Sequence, residues 1–428
     1  MAKEKIVNIE NEPVCVSEEC RAISMFMHPK NIAIVGASNT PGKPGNATMV
    51  NLLAAGFEGG IYPVHPRSSS ILSVPAFKSV YALPVVPDLG IIVVPAPAVP
   101  GVVEEFGKKG TRAVVVISAD MNQKADDGRT LSQIMMSHAK KYKIRIVGPN
   151  CIGVQSPYSK VNGSFMCSMA AAGHIGLISQ SGALAASGVD WAKANGIGFS
   201  HIFSIGDQAD VDISDLVEFL TVQEECAAIV IYMESIKDPE RFVHASQRAA
   251  IRKPVFCLKA GRSASAQKAA ASHTGALATG DEFYETLFRR AGVQRVDNFQ
   301  EVFSRASIAG YHLAAKSRKL TILTNGGGSG ILAVDRLASL GGELAELHAD
   351  TIEKLSKVLP AGWSHLNPVD IVGDAPGNRY ADALNILKHA PEVDTVFTIF
   401  GPTSITSSLD VAERLVEVVK RHNFKNLY

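Results

Sequence analysis

The chain has 428 residues, of which 46% are hydrophobic and 19% charged, and its formal net charge is +1. This length exceeds one ordinary hydrophobic core and predicts about three domains. The balanced charge excludes a broad basic surface for nucleic acid, so an anionic ligand must be held by local groups.

The hydropathy pattern, the N-terminal residues and the cysteines argue against a membrane segment, a secretory signal and a metal site. No run approaches the ~18 apolar residues that cross a bilayer, so no membrane segment is predicted. Charged residues interrupt the first ten positions, which is not typical of a secretory signal. The cysteines show no CxxC pair and no metal-ligand spacing, which predicts reduced thiols, no metal site and a cytoplasmic protein. They are Cys15, Cys20, Cys151, Cys167, Cys226 and Cys257.

Short β-branched runs alternate along the chain with Gly-, Ser- or Pro-rich turns and helical stretches. Runs that are apolar throughout are typical of strands covered by helices on both faces. The alternation predicts an α/β fold with parallel, doubly wound sheets. The predicted strands are 31–35, 90–94, 111–117, 144–147, 174–179, 227–232, 254–258, 320–324 and 394–400.

Three consecutive units are predicted, at residues 1–167, 168–315 and 316–428. A less regular stretch at 155–172 is interpreted as a connector, and a basic segment at 316–319 leads into the third unit. A helix is predicted near 409–421. In a doubly wound unit that helix should return to another parallel strand, so we expect the third unit to be either small or incomplete.

The first motif is a glycine-rich turn directly after the strand at 31–35. It reads Gly36-Ala37-Ser38-Asn39-Thr40-Pro41-Gly42-Lys43. Such a turn aims backbone N–H groups at a phosphate, and a lysine adds a point charge. It is not GxGxxG, and His65-Pro66-Arg67 stands where a dinucleotide site would have an acidic residue. A dehydrogenase is therefore disfavoured, and another phosphate-bearing adenine cofactor is favoured.

The second motif is Ser179-Gln180-Ser181-Gly182, which follows the strand at 174–179 and opens a helix. Hydroxyls and N–H groups at a helix start make a phosphate cradle. The alternative is that serine serves only as an N-cap and glycine only as a turn residue.

The third motif is Ser272-His273-Thr274-Gly275-Ala276-Leu277. A lone histidine is most often a surface or core residue, but small neighbours leave this ring accessible. The basic strand exit at 259–263 can neutralise a phosphate. Glu234, at a neighbouring strand end, can hold one imidazole nitrogen and make the other more nucleophilic. These features favour phosphoryl transfer through histidine. No P-loop or Mg²⁺-binding carboxylate cluster occurs, so nucleotide is expected elsewhere.

Together these motifs resemble the α subunit of ADP-forming acetyl-CoA synthetase, in the succinyl-CoA synthetase superfamily, from about residue 29 to the C-terminus. The resemblance implies a Rossmann-like CoA-binding domain followed by two flavodoxin-like ligase domains. The most specific elements are 259–262 and 272–277. Supporting elements are 148–153, 206–212, 325–328 and 367–370.

The reaction that the resemblance implies is acid + CoA + NTP ⇌ acyl-CoA + NDP + phosphate, through acyl phosphate and phosphohistidine. His273 and Glu234 are implied as catalytic residues. The implied CoA contacts are Gly36, Ala37, Ser38, Pro41, Gly42, Lys43, Val64, Pro66 and Pro95. The implied phosphate and acyl contacts are Asn150, Cys151, Ser179, Gln180, Ser181 and Gly182.

The implied partner is an ATP-grasp β subunit or domain that binds ATP or ADP with Mg²⁺, in an α₂β₂ heterotetramer. His65 and Asp207 each stand where the family usually has Asn. The acid, the nucleotide base and whether the chain belongs to a fused protein stay open. The main alternative is a CoA-sensing regulatory module, like the related regions fused to protein acetyltransferases.

Overall fold

The computed structural model describes residues 18–263, 265–266, 280–310 and 317–422. The chain divides into two compact units, Met1–Tyr311 and His312–Tyr428. The predicted α/β class with parallel sheets is confirmed in each unit. Within the described ranges, no helix is both long and apolar enough to cross a membrane.

The first sheet has five parallel strands in the order β2-β1-β5-β6-β7. Its inner strands β1, β5 and β6 are buried because their side chains are almost entirely apolar, as in β6, where all four residues are buried. A small antiparallel pair, β3 and β4, follows β2. The strands are β1 Asn31–Val35, β2 Gly60–Val64, β3 Ser70–Ile71, β4 Val74–Pro75, β5 Leu89–Ile92, β6 Ala113–Val116 and β7 Arg145–Val147.

The helices beside this sheet begin and end at recognisable signals. Thr130 caps α4 through a capping box with Gln133, and Gly110 ends α3 in a left-handed conformation. Pro44 opens α2, where its missing N–H costs no hydrogen bond. The helices are α1 Glu18–Met27, α2 Pro44–Ala54, α3 Val99–Lys109 and α4 Leu131–Tyr142.

The second sheet has seven strands in the order β14-β13-β12-β10-β11-β8-β9. The strands are β8 Gly153–Ser156, β9 Val161–Ser164, β10 Ala172–Ser179, β11 Phe199–Ser204, β12 Ala228–Met233, β13 Val255–Lys259 and β14 Gln294–Val296. The helices are α5 Gly182–Ala194, α6 Ile213–Thr221, α7 Pro239–Arg252, α8 Asp281–Ala291 and α9 Phe299–Gly310.

The predicted connector at 155–172 is wrong in part, because β8 and β9 form an antiparallel pair there and join the second sheet through β11. Many of their buried side chains are polar, and three of them form hydrogen bonds with one another. Gln155 Nε2 donates to Ser164 Oγ (3.3 Å), and Ser164 Oγ donates to Asn162 Oδ1 (2.6 Å). Polar residues buried in this way do not give the apolar pattern from which a strand is predicted.

In the C-terminal unit β15 is central and pairs in parallel with β16, β17 and β18. Leu384 and the fully buried Tyr380 belong to its apolar core. The strands are β15 Lys319–Thr324, β16 Glu343–Leu344, β17 Val369–Asp370 and β18 Val396–Ile399. The helices are α10 Gly327–Ser339, α11 Ala349–Val358, α12 Gly377–Leu387 and α13 Ser408–His422.

Candidate functional site

The glycine-rich turn lies at the carboxyl edge of the first sheet, between β1 and α2. Gly36 has a φ of +95°, and a Cβ there would lie 2.3 Å from the Val93 carbonyl oxygen, so only glycine fits. Residues 39–44 are exposed. No side chain caps the start of α2. This exposed turn with its free helix start fits the phosphates of CoA.

The other predicted CoA contacts lie beside this turn because β2 and β5 flank β1. The Gly36 N–H donates to the Val64 carbonyl (3.2 Å), which ties the turn to the end of β2. Pro66 and Pro95 are exposed just beyond β2 and β5. The structure therefore brings the predicted CoA residues to one edge of the sheet, as parallel strand ends require.

His65 occupies the position where a dinucleotide site would have a carboxylate. Its Nδ1 accepts hydrogen bonds from the backbone N–H groups of Arg67 (3.2 Å) and Ser68 (3.0 Å). The imidazole thus fixes the loop after β2 and offers no carboxylate to a ribose. This arrangement agrees with the sequence argument against a dehydrogenase.

The predicted phosphate cradle lies between β10 and α5, in the second sheet. Ser181 is the N-cap of α5, and its hydroxyl accepts from the Leu184 N–H (3.3 Å). Ser179 is buried, and its hydroxyl donates to the Ser181 carbonyl (2.7 Å). Both hydroxyls are therefore engaged locally. Ser181 and Gly182 remain partly exposed at the helix start, where an anion would meet backbone N–H groups.

Glu234 follows β12 directly, next to the cradle, because β10 and β12 are paired neighbours. Its side chain is half-buried. Burial, the Glu234 charge and a side-chain hydrogen bond with Glu234 raise the pKa of Tyr232 to about 12. The Tyr232 phenol therefore stays protonated beside the carboxylate. The predicted carboxylate thus sits beside the predicted phosphate cradle.

Lys259 supplies a positive charge on β13, the strand that pairs with β12. Lys259 ends β13 opposite Met233, and the side chain is buried with its ammonium 4.2 Å from the centroid of the Tyr284 ring. Burial lowers the pKa of Lys259, and the charges of Asp281 and Glu234 partly offset this effect. The lysine of the predicted basic strand exit is thus close enough to act electrostatically on Glu234.

The predicted acyl-binding loop adjoins the loop after β11. The Asn150 side chain donates to Asp207 Oδ1 (3.1 Å), and the Asp207 N–H donates to the Pro149 carbonyl (3.0 Å). A Cβ at Gly206 would lie 2.2 Å from the Pro149 carbonyl oxygen, so the two loops meet only through glycine. Asn150 and Asp207 are both exposed. They form one polar surface.

Lys237 was not singled out from the sequence. Its ammonium donates to the carbonyls of Asp207 (2.9 Å) and Gln208, which joins the loop after β12 to the loop after β11. The lysine comes only three residues after Glu234, but a lone lysine in a polar loop gives no signal until the loops are placed. It is a bridging residue that sequence reasoning missed.

Cys151 points into the interior instead of toward this surface. It is 4% exposed, and its thiol donates to the Val116 carbonyl (3.3 Å). Burial raises the pKa of Cys151 to about 12, so the sulfur is a neutral thiol. A contact of this residue with an acyl group would have to be made through its backbone, and its assignment as a contact stays a prediction.

His273 and its motif lie outside the described residues. The basic segment before it is described as far as Ser263, and Arg262 forms an ion pair with Asp297 there. In the described part of the chain, His, Cys, Asp and Glu side chains form no group that could hold a metal ion.

A second glycine-rich turn, Asn325-Gly326-Gly327-Gly328, joins β15 to α10 in the C-terminal unit. No side chain caps this helix, so its start has the geometry that presents N–H groups to an anion. Asn325 fixes the turn, since its side chain accepts from the Gly401 N–H (2.7 Å) and donates to the Gly401 carbonyl (2.9 Å).

Comparisons with known proteins identify the family to which the chain belongs. Family models match in succession a CoA binding domain at residues 30–157, a succinyl-CoA ligase like flavodoxin domain at 172–309 and a Ligase-CoA domain at 320–427. The α subunit of acetate–CoA ligase (ADP-forming) II from Pyrococcus furiosus is 37% identical over 404 residues, which cover 94% of this chain and 88% of that subunit. The chain belongs to the ADP-forming acetate–CoA ligase family.

Other relatives support the same family. Acetate–CoA ligase (ADP-forming) I from Archaeoglobus fulgidus is 40% identical over 91% of this chain, which spans only 56% of that longer protein. Acetyl-coenzyme A synthetase 1 from Ca. Korarchaeum cryptofilum, solved with phosphate and ADP, superposes with a TM-score of 0.88 at 31% identity. That match covers 93% of this chain and 86% of the solved chain. The family is one of acid–thiol ligases.

Proposed function

We propose that the chain is the CoA-binding, phosphohistidine-bearing part of an NDP-forming acyl-CoA synthetase. The observation that carries the proposal is the pairing of β10 with β12, which sets Glu234 beside the phosphate cradle at Ser181. A carboxylate next to an anion cradle has little purpose for phosphate binding alone, since it repels the anion. It has a purpose if an imidazole comes between the two.

The proposed chemistry proceeds in two steps on this chain. A phosphate oxygen attacks the thioester carbonyl of acyl-CoA, the C–S bond breaks, and CoA leaves as a thiolate that takes up a proton. One nitrogen of His273 then attacks the phosphorus of the acyl phosphate, and the P–O bond breaks to release the carboxylic acid as its carboxylate. The Glu234 carboxylate accepts a hydrogen bond from the N–H of the other imidazole nitrogen and stabilises the positive charge that develops on the ring.

The phosphate cradle at the start of α5 and the cation Lys259 have different roles in the proposed reaction. The N–H groups at the start of α5 bind the phosphoryl oxygens, and Lys259 offsets the negative charge of Glu234 nearby. The exposed turn after β1 binds the phosphates of CoA. The acid is a small carboxylic acid that lies near Asn150, and acetate is the first candidate because relatives are acetate–CoA ligases.

A partner completes the cycle. We propose that an ATP-grasp β subunit or domain binds ADP or ATP with Mg²⁺ and receives the phosphoryl group from His273. Two curated relatives named as α subunits support a separate partner chain, and longer relatives support a fused one. An α₂β₂ heterotetramer is proposed for the first case.

The test is to incubate the full chain with acetyl-CoA and radiolabelled phosphate, with and without the ATP-grasp chain of a relative. We expect acid-labile, base-stable label on the protein, none on His273→Asn, and transfer of the label to added ADP when the ATP-grasp chain is present. Phosphohistidine is acid-labile, so the workup must stay alkaline. CoA binding without any phosphoenzyme would contradict the proposal and favour a regulatory module.

A further inference from the structure

The Gln180 side chain forms hydrogen bonds with the backbone that follows β12. Gln180 is 8% exposed, between the buried end of β10 and the N-cap of α5. Its Oε1 accepts hydrogen bonds from the backbone N–H groups of Glu234 (2.5 Å) and Ser235 (3.0 Å). Its Nε2 donates to the Ser235 carbonyl (2.7 Å). One side-chain amide thus makes three hydrogen bonds to the two residues that follow β12.

This contact replaces sheet pairing where the strands end. The β10–β12 ladder runs from Ile175 opposite Ala228 to Ser179 opposite Tyr232, and the Gln180 N–H still donates to the Tyr232 carbonyl (3.3 Å). Beyond that point the backbones separate, and the N–H groups of Glu234 and Ser235 would lose their partners. Buried N–H groups without partners are costly, so the glutamine amide fixes the path of this segment.

The position of the Glu234 backbone decides where its carboxylate points. The Gln180 amide holds the main chain at Glu234, and the Tyr232 phenol lies close enough for the Glu234 charge to raise its pKa. The residue that clamps Glu234 is also part of the turn that forms the phosphate cradle. A shift of either segment beyond the end of the β10–β12 ladder is therefore transmitted to the other through this side chain.

We propose that Gln180 is a positioning residue that holds Glu234 at a fixed distance from the phosphate cradle. This inference rests on the proposed phosphohistidine chemistry, and it differs from a direct contact of the glutamine with phosphate. Nε2 has one further N–H, but the other amide groups are already used by the backbone after β12. The phosphate would be bound by the backbone of the turn, and the glutamine would act through Glu234.

The test compares Gln180→Met with the wild type in the full chain, with radiolabelled acetyl phosphate as phosphoryl donor. Methionine keeps the length of the side chain and removes all three hydrogen bonds. Because misplacement by about 1 Å costs up to about 100-fold in rate, we expect the phosphorylation rate of His273 to fall by about 10- to 100-fold. The KM for acetyl phosphate should stay within about threefold, since ground-state binding is left intact.

A matched control is Gln155→Met. Gln155 is also buried, and its amide also clamps backbone, accepting from the Ala170 N–H (2.9 Å) and donating to the Ser168 carbonyl (3.0 Å). It does so in β8, away from Glu234, so this variant should lose stability but keep the phosphorylation rate. Equal rate losses in the two variants would attribute the effect to general destabilisation and overturn the inference.

Gln180→Glu is the second variant. A protonated glutamic acid offers the same acceptor and donor as glutamine, whereas an ionised one repels the Ser235 carbonyl and Glu234. The rate of this variant relative to wild type should therefore rise as the pH is lowered from about 8 to about 6. A direct phosphate contact would instead raise the KM for acetyl phosphate in both variants.

The failure of this inference and that of the proposed function can be told apart. If the wild type forms no phosphohistidine, the proposed function fails, whatever the variants do. If the wild type is phosphorylated and Gln180→Met reacts at the same rate, only the positioning role fails. Hydrogen exchange of the Glu234 and Ser235 amides gives an independent readout, which should speed up much more in Gln180→Met than in Gln155→Met.

Discussion

His201 is a buried histidine in β11 that takes no part in the proposed chemistry. It is 1% exposed, and its ring contacts Phe219 and His28 with centroids 5.7 and 5.9 Å away. Its Nδ1 has no hydrogen-bond partner among the described residues. Burial above all, then the charges of His28 and Lys253, lower the pKa of His201 to about 3. The imidazole is thus neutral in the native protein.

This histidine makes the free energy of unfolding depend on pH. In the unfolded chain the imidazole takes up a proton below about pH 6.5, whereas the native imidazole stays neutral down to about pH 3, so acid favours unfolding. Between about pH 7 and pH 5 the free energy of unfolding falls by about 2 kcal/mol, and the slope approaches about 1.4 kcal/mol per pH unit below about pH 6. Urea titrations at several pH values measure this change in the free energy of unfolding.

The control for this prediction is His201→Phe, which keeps the aromatic contacts and removes the titrating group. Its unfolding free energy should fall less steeply between neutral pH and about pH 5 than that of the wild type. His28 is present in both proteins, so the comparison removes only one imidazole of this pair. Parallel pH dependences would show that His201 takes up its proton in the native state as well.

At the scale of elements, an ionic network holds the loop between β11 and α6. Arg145, at the start of β7, binds Asp210 (2.9 Å) and Asp215 (2.8 Å), and Arg241 of α7 binds Asp212 (3.2 Å) and Asp215. Asp215 is 5% exposed and also closes the capping box of α6. The network thus links the first sheet to helices of the second.

Removal of the central cation should destabilise this unit strongly. We expect Arg145→Met to lower the free energy of unfolding by about 3–5 kcal/mol, because it leaves the buried Asp215 carboxylate with less compensation. The matched control is Lys108→Met, which breaks the solvent-exposed pair of Lys108 and Glu104 in α3 and should leave the free energy of unfolding nearly unchanged. Urea unfolding of both variants tests this, and similar losses would contradict it.

The strands that could be predicted from the sequence are those with continuous apolar runs. β1 begins and ends where predicted, and β10 and β12 do so within two residues. β16 and β17 are two residues long, too short to give a pattern, and β8 and β9 bury polar side chains. Sequence periodicity reports burial of apolar residues, so it cannot detect strands formed by other means.

The sequence likewise predicts which residues of the candidate site are neighbours. Parallel strands share a carboxyl edge, so the neighbourhood of Glu234 and the cradle follows from the order of the elements. The direction of individual side chains does not follow. Gln180 turns to the backbone of Glu234, Cys151 turns inward, and Lys237 crosses to Asp207. These contacts depend on loop positions that local sequence does not specify.

At the scale of the whole molecule, the residues predicted to bind CoA and the cradle all belong to the unit Met1–Tyr311. This unit has its own apolar cores on both faces of the first sheet. A unit with its own core is expected to fold alone. CoA binding should therefore not require the C-terminal unit, whereas complete turnover would require every partner of the proposed cycle.

The prediction is that a chain ending at residue 311 binds CoA with a Kd within about threefold of that of the full chain, or about 0.7 kcal/mol. Calorimetric titration with CoA measures it. Gly36→Ala should abolish binding in both chains, because its Cβ would meet the Val93 carbonyl at 2.3 Å, whereas Gly101→Ala in α3 meets nothing within 4 Å and should bind normally. If the folded shorter chain failed to bind, CoA would need groups from the C-terminal unit, and the assignment of its site to the first sheet alone would be wrong.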